Sequence, residues 1–457
     1  MLVFESSENA TPIELVSASD IKEWRKNQSD LVLAWADRSK FKGSANHYFT
    51  VPDERGFPAR VVAGIGKSVN VESIGSLSQR LPAGEYCLDD VDPASIYTLA
   101  LGWGMGSYQF SKYKTKEKKP DDKPRLFVGP DHASINEELS SMNLARDLIN
   151  TSAGDLLPDQ LESAVEDVCS KFDVSLNVTR GDELLRAGFR TIHSVGRASC
   201  SDPRLLDFTW GNDDSPKVAI LGKGVCFDSG GLDLKSAAGM REMKKDMAGA
   251  AITLGLAQLI MYRNLNVHLR VLIPAVENAV SSNAYHPGDV ITTYKGTTVE
   301  VGNTDAEGRL ILCDALALAA ESQPELMIDF STLTGAARTA VGADISAMFS
   351  NDDEVANGLL EAGNDVLDPI WRLPLYAGYR ESLKKSIADL SNIGSQSMGG
   401  AITAALFLEH FVAGTPWVHF DLMGSNTSTR PAHPSGGEAM ALRAVFHYLQ
   451  QRYGVAS

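Results

Sequence analysis

Short apolar runs alternate with longer alanine-rich stretches over the larger, C-terminal part of the chain. The runs are VAILG at 218–222, LRVLIPA at 269–275, LMIDFS at 326–331 and WVHFDL at 417–422. Runs in which successive positions are apolar, rather than every second one, are typical of strands buried on both faces. The pattern predicts an α/β fold in which a mostly parallel or mixed sheet is flanked by helices.

The N-terminal part of the chain has a weaker pattern of the same kind. The segments DLVLAW, RVVAGIG and SIYTLALGWGMG alternate apolar runs with glycine-rich turns, which predicts a smaller α/β domain over residues 1–130. The segment INEELSSMNLARDLIN has the pattern of a helix, so a connecting helix is predicted within residues 131–150. The larger domain then comprises residues 151–457.

Each apolar run of the larger domain ends in glycine or polar residues. The segments at these ends contain GKG, ENAVSSN, TLTG and MGSN. In open α/β sheets, ligands bind beyond the carboxyl ends of the strands. We therefore expect these segments to build a functional site.

The charge balance disfavours nucleic acid as a partner. The chain has 58 acidic residues against 42 basic ones, a formal net charge of −16. Such a charge repels a phosphate backbone unless a local basic patch dominates. The strongly biased stretch KYKTKEKKPDDKP at 112–124 has the composition of a solvated surface loop.

The cysteines and the N-terminal segment both favour a cytoplasmic protein. Five cysteines are scattered without C-x-x-C spacing, so neither a disulfide framework nor a thiolate zinc site is indicated. The segment MLVFESSENATP is acidic where a signal peptide is basic, and no apolar run is long enough to span a membrane. We expect reduced, mostly buried cysteines, no membrane partner and a cytoplasmic location.

The octapeptide NTDAEGRL at 303–310 places a charged residue at every second position. Asp305, Glu307 and Arg309 are separated only by small residues and stand at the start of the apolar run LILCDALALAA. In an extended segment such side chains project to one face, so two carboxylates and a guanidinium are predicted to converge. Taken alone, a D-x-E pair is about as often a surface acid pair as a ligand pair.

A second group of charged residues follows the first apolar run. The segment 222–251 contains Lys223, Asp228 and Asp246 among several glycines. Lys223 stands at the end of a buried strand, where a lone lysine would snorkel or pair with an acid. Asp228 precedes a Ser-Gly-Gly turn that would aim it inward. Asp246 lies in a predicted helix at the edge of an apolar stripe, where a carboxylate is usually paired or bound to metal.

The four carboxylates of these two segments favour a metal centre. They carry a formal charge of −4, which two divalent cations would neutralise. Oxygen-rich ligation suits Mg, Mn, Co or Zn, and two-metal sites are common in hydrolases. A neutral amine of Lys223 could also bind, because coordination and burial favour its deprotonated form. The chain lacks H-E-x-x-H, G-x-S-x-G and phosphate-loop signatures, which weakens those alternatives.

NTDAEGRL, GKGVCFDSGG and MKKDMAGAA closely resemble segments of the leucyl aminopeptidase (cytosol aminopeptidase) family of dinuclear metallo-exopeptidases. The octapeptide is the signature of that family. The resemblance extends over most of residues 140–425, whereas the segment before it matches only loosely, as a variable N-terminal domain. It implies that domain 151–457 is catalytic. The expected reaction is hydrolysis of the N-terminal residue, leucine-like or broad, from short peptides by a two-metal-activated water.

The resemblance also implies a ligand set. Lys223, Asp228, Asp246 and Glu307 would bind the metal that meets the substrate amine. Asp228, Asp305 and Glu307 would bind the other metal, so that Asp228 and Glu307 bridge the two ions. The backbone carbonyl of Asp305 is expected to contribute as well. The ions would be Zn or Mn, with Mg or Co as alternatives.

Two further residues match the catalytic positions of the family, namely Lys235 and Arg309. In the family the lysine stabilises the tetrahedral oxyanion, and the arginine holds a bicarbonate that acts as a base. Met243 resembles a wall residue of the pocket for the first side chain, although its spacing fits a core methionine equally well. The carbonyl of Leu333 is expected to accept a hydrogen bond from the substrate backbone.

The resemblance further implies a homohexamer with interior active sites that admit short peptides with a free N-terminus. A DNA-binding member of the family is the alternative from another functional class. It rests on the lysine-rich run alone and is opposed by the net charge. A two-metal phosphatase would use similar ligands but normally more histidines. We therefore predict an aminopeptidase that binds two divalent cations in each subunit.

Overall fold

The computed structural model describes nearly the whole chain. The described residues are 1–5, 10–115, 122–384 and 387–456. Of the lysine-rich run, residues 116–121 lie outside them, and residues 112–115 are exposed, as expected of a surface loop. All five cysteines are free, as predicted. Among the described residues, no helix has the length and apolar character needed to cross a membrane.

Two compact units divide the chain. The first comprises Met1–Ser140 with Thr427–Ser435, and the second comprises Ser141–Asn426 with Gly436–Ser457. The helix predicted within 131–150 is present, and the division between the units falls inside it.

The first unit is a small α/β unit, as predicted. Its elements are β1 (Leu2–Val3), β2 (Thr11–Ser17), α1 (Ile21–Lys26), α2 (Asp30–Arg38), β3 (Tyr48–Pro52), β4 (Pro58–Gly66), α3 (Leu77–Arg80), β5 (Gly84–Asp89), α4 (Pro93–Ser107), β6 (Pro124–Phe127) and α5 (Ile135–Asn150), the last of which extends into the second unit. The strands pair in the order β1-β6-β5-β2-β4-β3. All these neighbours are parallel except β3 and β4.

Helix α4 corrects one sequence-based expectation. The glycine-rich end of SIYTLALGWGMG was predicted to turn, but it is helical. Asp92 accepts a hydrogen bond from the Ala94 N–H, and Pro93 occupies the first turn, both of which favour a helix start. A Cβ atom at Gly102 would lie 1.9 Å from the carbonyl oxygen of Val71. Glycine therefore serves close packing here rather than chain reversal.

The second unit contains the longer series of strands and helices. Its elements are α6 (Pro158–Lys171), β7 (Leu176–Arg180), α7 (Asp182–Ala187), α8 (Arg190–Gly196), β8 (Arg204–Trp210), β9 (Lys217–Gly222), β10 (Gly224–Asp228), α9 (Ala237–Met240), α10 (Ala248–Tyr262), β11 (His268–Asn278), β12 (Val290–Thr292), β13 (Thr298–Glu300), α11 (Glu307–Glu321), β14 (Leu326–Ser331), α12 (Gly335–Val341), β15 (Ser346–Ser350), α13 (Asp353–Asp365), β16 (Ile370–Arg372), β17 (Leu390–Ser391), α14 (Gly400–Glu409), β18 (Trp417–Asp421), β19 (Ser425–Asn426), β20 (Gly436–Gly437) and α15 (Leu442–Tyr453). Short 3-10 segments lie at Ala153–Asp155, Met243–Met247 and Ala377–Leu383.

The main sheet of this unit is mixed, with a parallel centre. Its order is β16-β15-β18-β14-β9-β11-β8-β7, and β10 pairs with β11. Strands β18, β14, β9 and β11 run parallel to one another, whereas β15, β8 and β7 add antiparallel pairs. The four apolar runs of the sequence are these four central strands, so the predicted sheet is confirmed.

The core lies on both faces of the central strands. Ile220 pairs with Val271 on one side and with Ile328 on the other, and Phe330 stacks on Phe420 with ring centroids 5.2 Å apart. Helices α10 and α11 are buried along nearly their whole length, which explains their alanine-rich, all-round apolar sequences. Because the central strands are parallel, their carboxyl ends meet at one edge of the sheet.

Candidate metal centre

The predicted ligands lie at this edge of the main sheet. Lys223 directly follows β9, and Asp228 is the last residue of β10. Asp246 lies in the 3-10 segment before α10, Asp305 lies in a turn, and Glu307 is the first residue of α11. Five residues from three separate segments of the chain are thus brought to the place where an α/β sheet binds ligands.

Three of the carboxylates form a compact cluster. Oxygen atoms of Asp228, Asp305 and Glu307 lie within 4.8 Å of one another. Asp228 and Glu307 are buried, while Asp305 is partly exposed. Three carboxylate oxygens at such separations are suited to hold a divalent cation.

Lys223 links the fourth carboxylate to this cluster. Its Nζ lies 2.6 Å from Oδ2 of Asp246 and 2.8 Å from Oε1 of Glu307, and it donates to the carbonyl oxygen of Thr332 at 3.4 Å. Burial disfavours the ammonium form, but Asp246 and Glu307 outweigh this and raise the pKa of Lys223 above its ordinary value. Thr332 also donates through Oγ1 to Oδ1 of Asp246, at 2.7 Å.

Lys235 contacts the other side of the cluster. Its Nζ lies 2.7 Å from Oδ2 of Asp228 and also pairs with Oδ1 of Asp305. Its backbone N–H donates to the carbonyl oxygen of Ser229, which closes the loop that carries Gly230 and Gly231. Both glycines have positive φ values, 88° and 65°, so the sharp turn predicted after Asp228 is present.

The carboxylates are electrostatically under-compensated, since among the described residues the four of them form ion pairs only with the ammonium groups of Lys223 and Lys235. Burial, and next the neighbouring Asp246, raise the pKa of Asp228 to about 6. Burial, and next Asp228, raise the pKa of Glu307 to about 7. Among the described residues, no hydrogen-bond or ion-pair partner contacts the buried Oε2 of Glu307. The centre therefore fits further positive charge of the kind that divalent cations supply.

The octapeptide does not have the extended geometry that its alternating charges suggested. Residues 304–305 form a turn, and helix α11 begins at Glu307. Asp305 and Glu307 still converge, but Arg309 lies within the helix, and its Nη1 donates to the carbonyl oxygen of Asn392 at 2.8 Å. Burial lowers the pKa of Arg309 to about 10. The prediction of an extended segment with three converging charges was therefore wrong in its geometry.

The predicted helix around Asp246 is also interrupted. Helix α9 ends at Met240, a 3-10 segment follows over Met243–Met247, and α10 begins only at Ala248. Met243 is buried in the 3-10 segment. The tighter 3-10 geometry sets Asp246 at the start of α10 rather than inside a continuous helix.

Several supporting residues were not identified from the sequence. The Asn278 amide donates to Oδ1 of Asp228 at 2.8 Å and to the carbonyl oxygen of Thr304 at 3.0 Å. Tyr285 donates to the same carbonyl oxygen at 2.6 Å, and Asn392 donates to the carbonyl oxygen of Asn303 at 2.7 Å. Asn278 is the last residue of β11, so the pattern of polar residues at the strand ends could have indicated its place at the site.

Two family models match the chain over most of its length. The model described as cytosol aminopeptidase family, catalytic domain, matches residues 143–446, and the model described as M17 aminopeptidase, N-terminal domain, matches residues 11–128. Together with the α/β fold and the acidic centre, these matches define a metal-dependent aminopeptidase. The chain belongs to the cytosol aminopeptidase family, as its motifs predicted.

Individual relatives agree with this assignment. The crystal structure of the cytosol aminopeptidase from Coxiella burnetii is 45% identical, with a TM-score of 0.94, and 99% of each chain is covered. A probable cytosol aminopeptidase from Geobacter sp. (strain M21) is 36% identical over 79% of this chain and 76% of the relative. The bottromycin maturation enzyme BotP, solved in complex with Mn, is 29% identical, with a TM-score of 0.87, and 97% of this chain and 100% of that chain are covered. None of these findings supports the DNA-binding alternative.

Proposed function

We propose that this aminopeptidase binds two divalent cations through Lys223, Asp228, Asp246, Asp305 and Glu307. The observation that carries the proposal is the convergence of four carboxylates that, among the described residues, form ion pairs with only two ammonium groups. One cation would take Lys223, Asp228, Asp246 and Glu307, and the other Asp228, Asp305 and Glu307, with a contribution from the Asp305 backbone carbonyl. Asp228 and Glu307 would bridge the two.

The ammonium groups occupy positions that cations would take over. Asp246, Glu307 and Asp228 raise the pKa of Lys223, so cations that neutralise these carboxylates would remove the cause of the raised pKa. The lysine could then bind as a neutral amine. Lys235 would be released in the same way from Asp228 and Asp305. Oxygen-rich ligation is compatible with Mn or Zn, and with Mg or Co. The Mn complex of BotP supports Mn.

The remaining residues position the peptide around this centre. When bound, divalent cations polarise the scissile carbonyl and make a water molecule acidic enough to act as nucleophile near neutral pH. Asp246 accepts hydrogen bonds from the free α-amine of the substrate, which restricts cleavage to the first residue. The ammonium of Lys235 stabilises the negative charge that develops on the carbonyl oxygen. The Leu333 carbonyl accepts a hydrogen bond from the peptide backbone, and Met243 contacts the first side chain.

Arg309 would hold a bicarbonate that serves as a base. The guanidinium is buried, and among the described residues its Nε has no hydrogen-bond partner. Its Nη1 is held by Asn392, which fixes the orientation of the guanidinium plane. A buried donor without a partner favours binding of a small anion.

We further propose short peptides as substrates, a homohexameric assembly and a cytoplasmic location. The family description, cytosol aminopeptidase, supports the location and the peptide substrates. The free cysteines are compatible with a reducing compartment. The hexamer follows from the resemblance of the motifs to the leucyl aminopeptidase family, and light scattering would test it.

Chelation followed by metal restoration tests the centre. We expect chelator-treated protein to lose release of p-nitroaniline from leucine p-nitroanilide, to regain it with Mn²⁺ or Zn²⁺, and to leave the N-acetylated substrate uncleaved. Metal analysis should give two ions per chain, and fewer in Asp305→Ala and Glu307→Ala. The control is Asp353→Ala, which removes an exposed acid paired with Arg372. Full activity after chelation, or cleavage of the acetylated substrate, would contradict the proposal.

A further inference from the structure

One buried asparagine bonds to the turn around Asp305 on both sides of that residue. Asn392 is 0% exposed and directly follows β17. Its Oδ1 accepts from the backbone N–H groups of Gly302 at 2.7 Å and Asn303 at 3.3 Å. Its Nδ2 donates to the carbonyl oxygens of Asn303 at 2.7 Å and Ala306 at 3.3 Å. The amide therefore uses both of its lone pairs and both of its N–H groups on this one turn.

Asn392 also contacts the proposed anion site. Its backbone carbonyl oxygen accepts from Nη1 of Arg309 at 2.8 Å. Arg309 is 7% exposed, and within the described part of the chain its Nε has no hydrogen-bond partner. Because a guanidinium is planar, one fixed N–H group limits the directions of its remaining donors. The side chain of Asn392 thus holds the segment with two proposed metal ligands, and its backbone holds the arginine proposed to bind bicarbonate.

The position of Asn392 is itself fixed by the small sheet β12-β13-β17. Strand β17 pairs in parallel with β13, and the Asn392 N–H continues this pairing by donating to the carbonyl oxygen of Glu300 at 3.0 Å. The two segments pack closely, since a Cβ atom at Gly302 would lie 2.7 Å from Cγ1 of Ile393. The small sheet therefore supports the turn beside the centre.

Other side chains hold the turn on its N-terminal side. The Tyr285 hydroxyl and the Asn278 amide both donate to the carbonyl oxygen of Thr304. The Asn392 amide reaches further, to Ala306, the residue before helix α11. Loss of this amide would leave the first part of the turn held and would release its junction with the helix.

We propose that Asn392 is a positioning residue that aligns Asp305 and Glu307 with the cation they share and Arg309 with bicarbonate. The inference rests on the proposed function, since it takes the two acids as ligands and the arginine as the anion site. Asn392 acts through the residues it holds rather than by touching the substrate. Loss of a partner that orients metal ligands typically costs about 10–100-fold in metal affinity or activity.

The first test compares metal binding by chelator-treated wild-type protein and Asn392→Ala. Calorimetric titration with Mn²⁺ should give two ions per chain in both proteins. In the variant, the affinity for one ion should fall by about 10–100-fold. The affinity for the other ion should change less, because Lys223 and Asp246 hold each other and both contact Thr332.

The second test measures cleavage of leucine p-nitroanilide with Mn²⁺ saturating, so that the remaining effect reports on Arg309. We expect kcat of Asn392→Ala to fall by about 10–100-fold. KM should hold, because the proposed substrate contacts are made by Asp246 and Leu333. Added bicarbonate should raise kcat of the variant more than that of wild type, since a misplaced site is filled at higher anion concentration.

Asn351 provides the matched control. Its amide also joins two backbone segments, since it donates to the carbonyl oxygen of Thr415 at 2.9 Å and accepts from the Trp417 N–H at 2.7 Å. Trp417 begins β18, so these bonds lie at the opposite end of this strand from the proposed centre. Asn351→Ala should lower Tm but keep the Mn²⁺ affinity, kcat and bicarbonate response of wild type.

The outcomes separate the positioning role from the proposed function. If Asn392→Ala loses thermal stability but matches Asn351→Ala in metal affinity and kcat, the positioning role is wrong and the metal centre stands. If wild-type protein binds no Mn²⁺ and cleaves no anilide, the proposed function itself fails.

A second substitution keeps the test decisive if Asn392→Ala does not fold. Asn392→Ser should give the same shifts, because one short hydroxyl group cannot bond to both Asn303 and Ala306. Failure of both variants to fold would assign Asn392 to the fold as a whole and would overturn the proposal.

Discussion

Gly308 lies directly against the side chain of Lys223. A Cβ atom at Gly308 would lie 2.5 Å from Cε of Lys223 and 2.8 Å from its Nζ. Glycine at this position of α11 therefore allows the lysine to reach Glu307. The absence of a side chain at Gly308 is therefore needed for the geometry of two proposed ligands, Lys223 and Glu307.

Gly308→Ala should reduce activity while leaving the fold intact. The added methyl group displaces the Lys223 amine, and misplacement of a ligand side chain costs about 10–100-fold in metal affinity or activity. Alanine also favours a helix over glycine by up to about 1 kcal/mol, so thermal stability should hold or increase. Metal titration, kcat/KM and Tm measured on one preparation would show whether metal affinity and activity fall while thermal stability is kept.

Gly154→Ala is the matched control for that substitution. A Cβ atom at Gly154 would meet nothing within 4 Å, so this variant should keep wild-type metal affinity and activity. Wild-type metal affinity in Gly308→Ala would show that Lys223 does not act as a ligand.

Lys235→Ala should lower kcat strongly without removing the cations. Lys235 is not among the proposed ligands, and its ammonium is expected to stabilise charge on the substrate oxygen. Loss of one such donor costs roughly 10²–10³-fold in kcat. Metal content should stay at two ions per chain, as measured by elemental analysis. A variant that loses metal and activity together would instead assign Lys235 to holding the centre.

The central sheet and the clustering of acidic residues at its edge could be predicted because both depend on simple regularities. Strands buried on both faces must be continuously apolar, and parallel strands must end at one edge. Lys223, which directly follows β9, and Asp228, which ends β10, were therefore placed correctly from the sequence. Asp246 was recognised because a carboxylate near an apolar helix face needs a partner.

The geometry of the octapeptide and the supporting residues of the site depend on tertiary contacts, which leave no periodic pattern in the sequence. The alternating charges of NTDAEGRL fit an extended segment, but the apolar residues after them form α11, and the helix includes Glu307 and Arg309. Asn278 and Asn392 gain their roles through contacts with residues distant in sequence, among them Thr304 and Asn303.

Asp314, in the middle of α11, should make stability depend on pH. Burial raises its pKa to about 6 despite hydrogen bonds from the Thr191 and Tyr294 N–H groups. A folded-state pKa above the ordinary 3.8 means that the folded protein binds the proton more tightly than the unfolded chain does. The stabilising contribution of protonated Asp314 is thus present at low pH and is lost as pH rises through about 6.

The comparison with Asp314→Asn isolates this group. Between about pH 4 and about pH 7, wild-type protein should lose free energy of unfolding relative to the variant, because asparagine does not ionise. Denaturant unfolding at a series of pH values, with Mn²⁺ saturating throughout, would measure the difference. The exposed Asp353→Asn should show no such trend, and parallel pH curves for wild type and Asp314→Asn would contradict the assignment.

Asp329 should contribute strongly to stability through its fully buried pair with His419. Its Oδ1 lies 2.6 Å from Nδ1 of His419, and its Oδ2 accepts from Trp417 Nε1 at 2.8 Å. Asp329 and His419 are both 0% exposed. Burial disfavours the charged imidazole, but Asp329 outweighs this and raises the pKa of His419.

Asp329→Ala should therefore destabilise the protein by about 3–5 kcal/mol, since it leaves a buried histidine and a buried indole N–H without their partner. Asp353→Ala breaks an ion pair with Arg372 in which the acid is 86% exposed, and it should cost no more than about 1 kcal/mol. Denaturant unfolding of the two variants and wild type would measure both values. Equal, small losses would mean that the buried pair contributes no more than a surface pair.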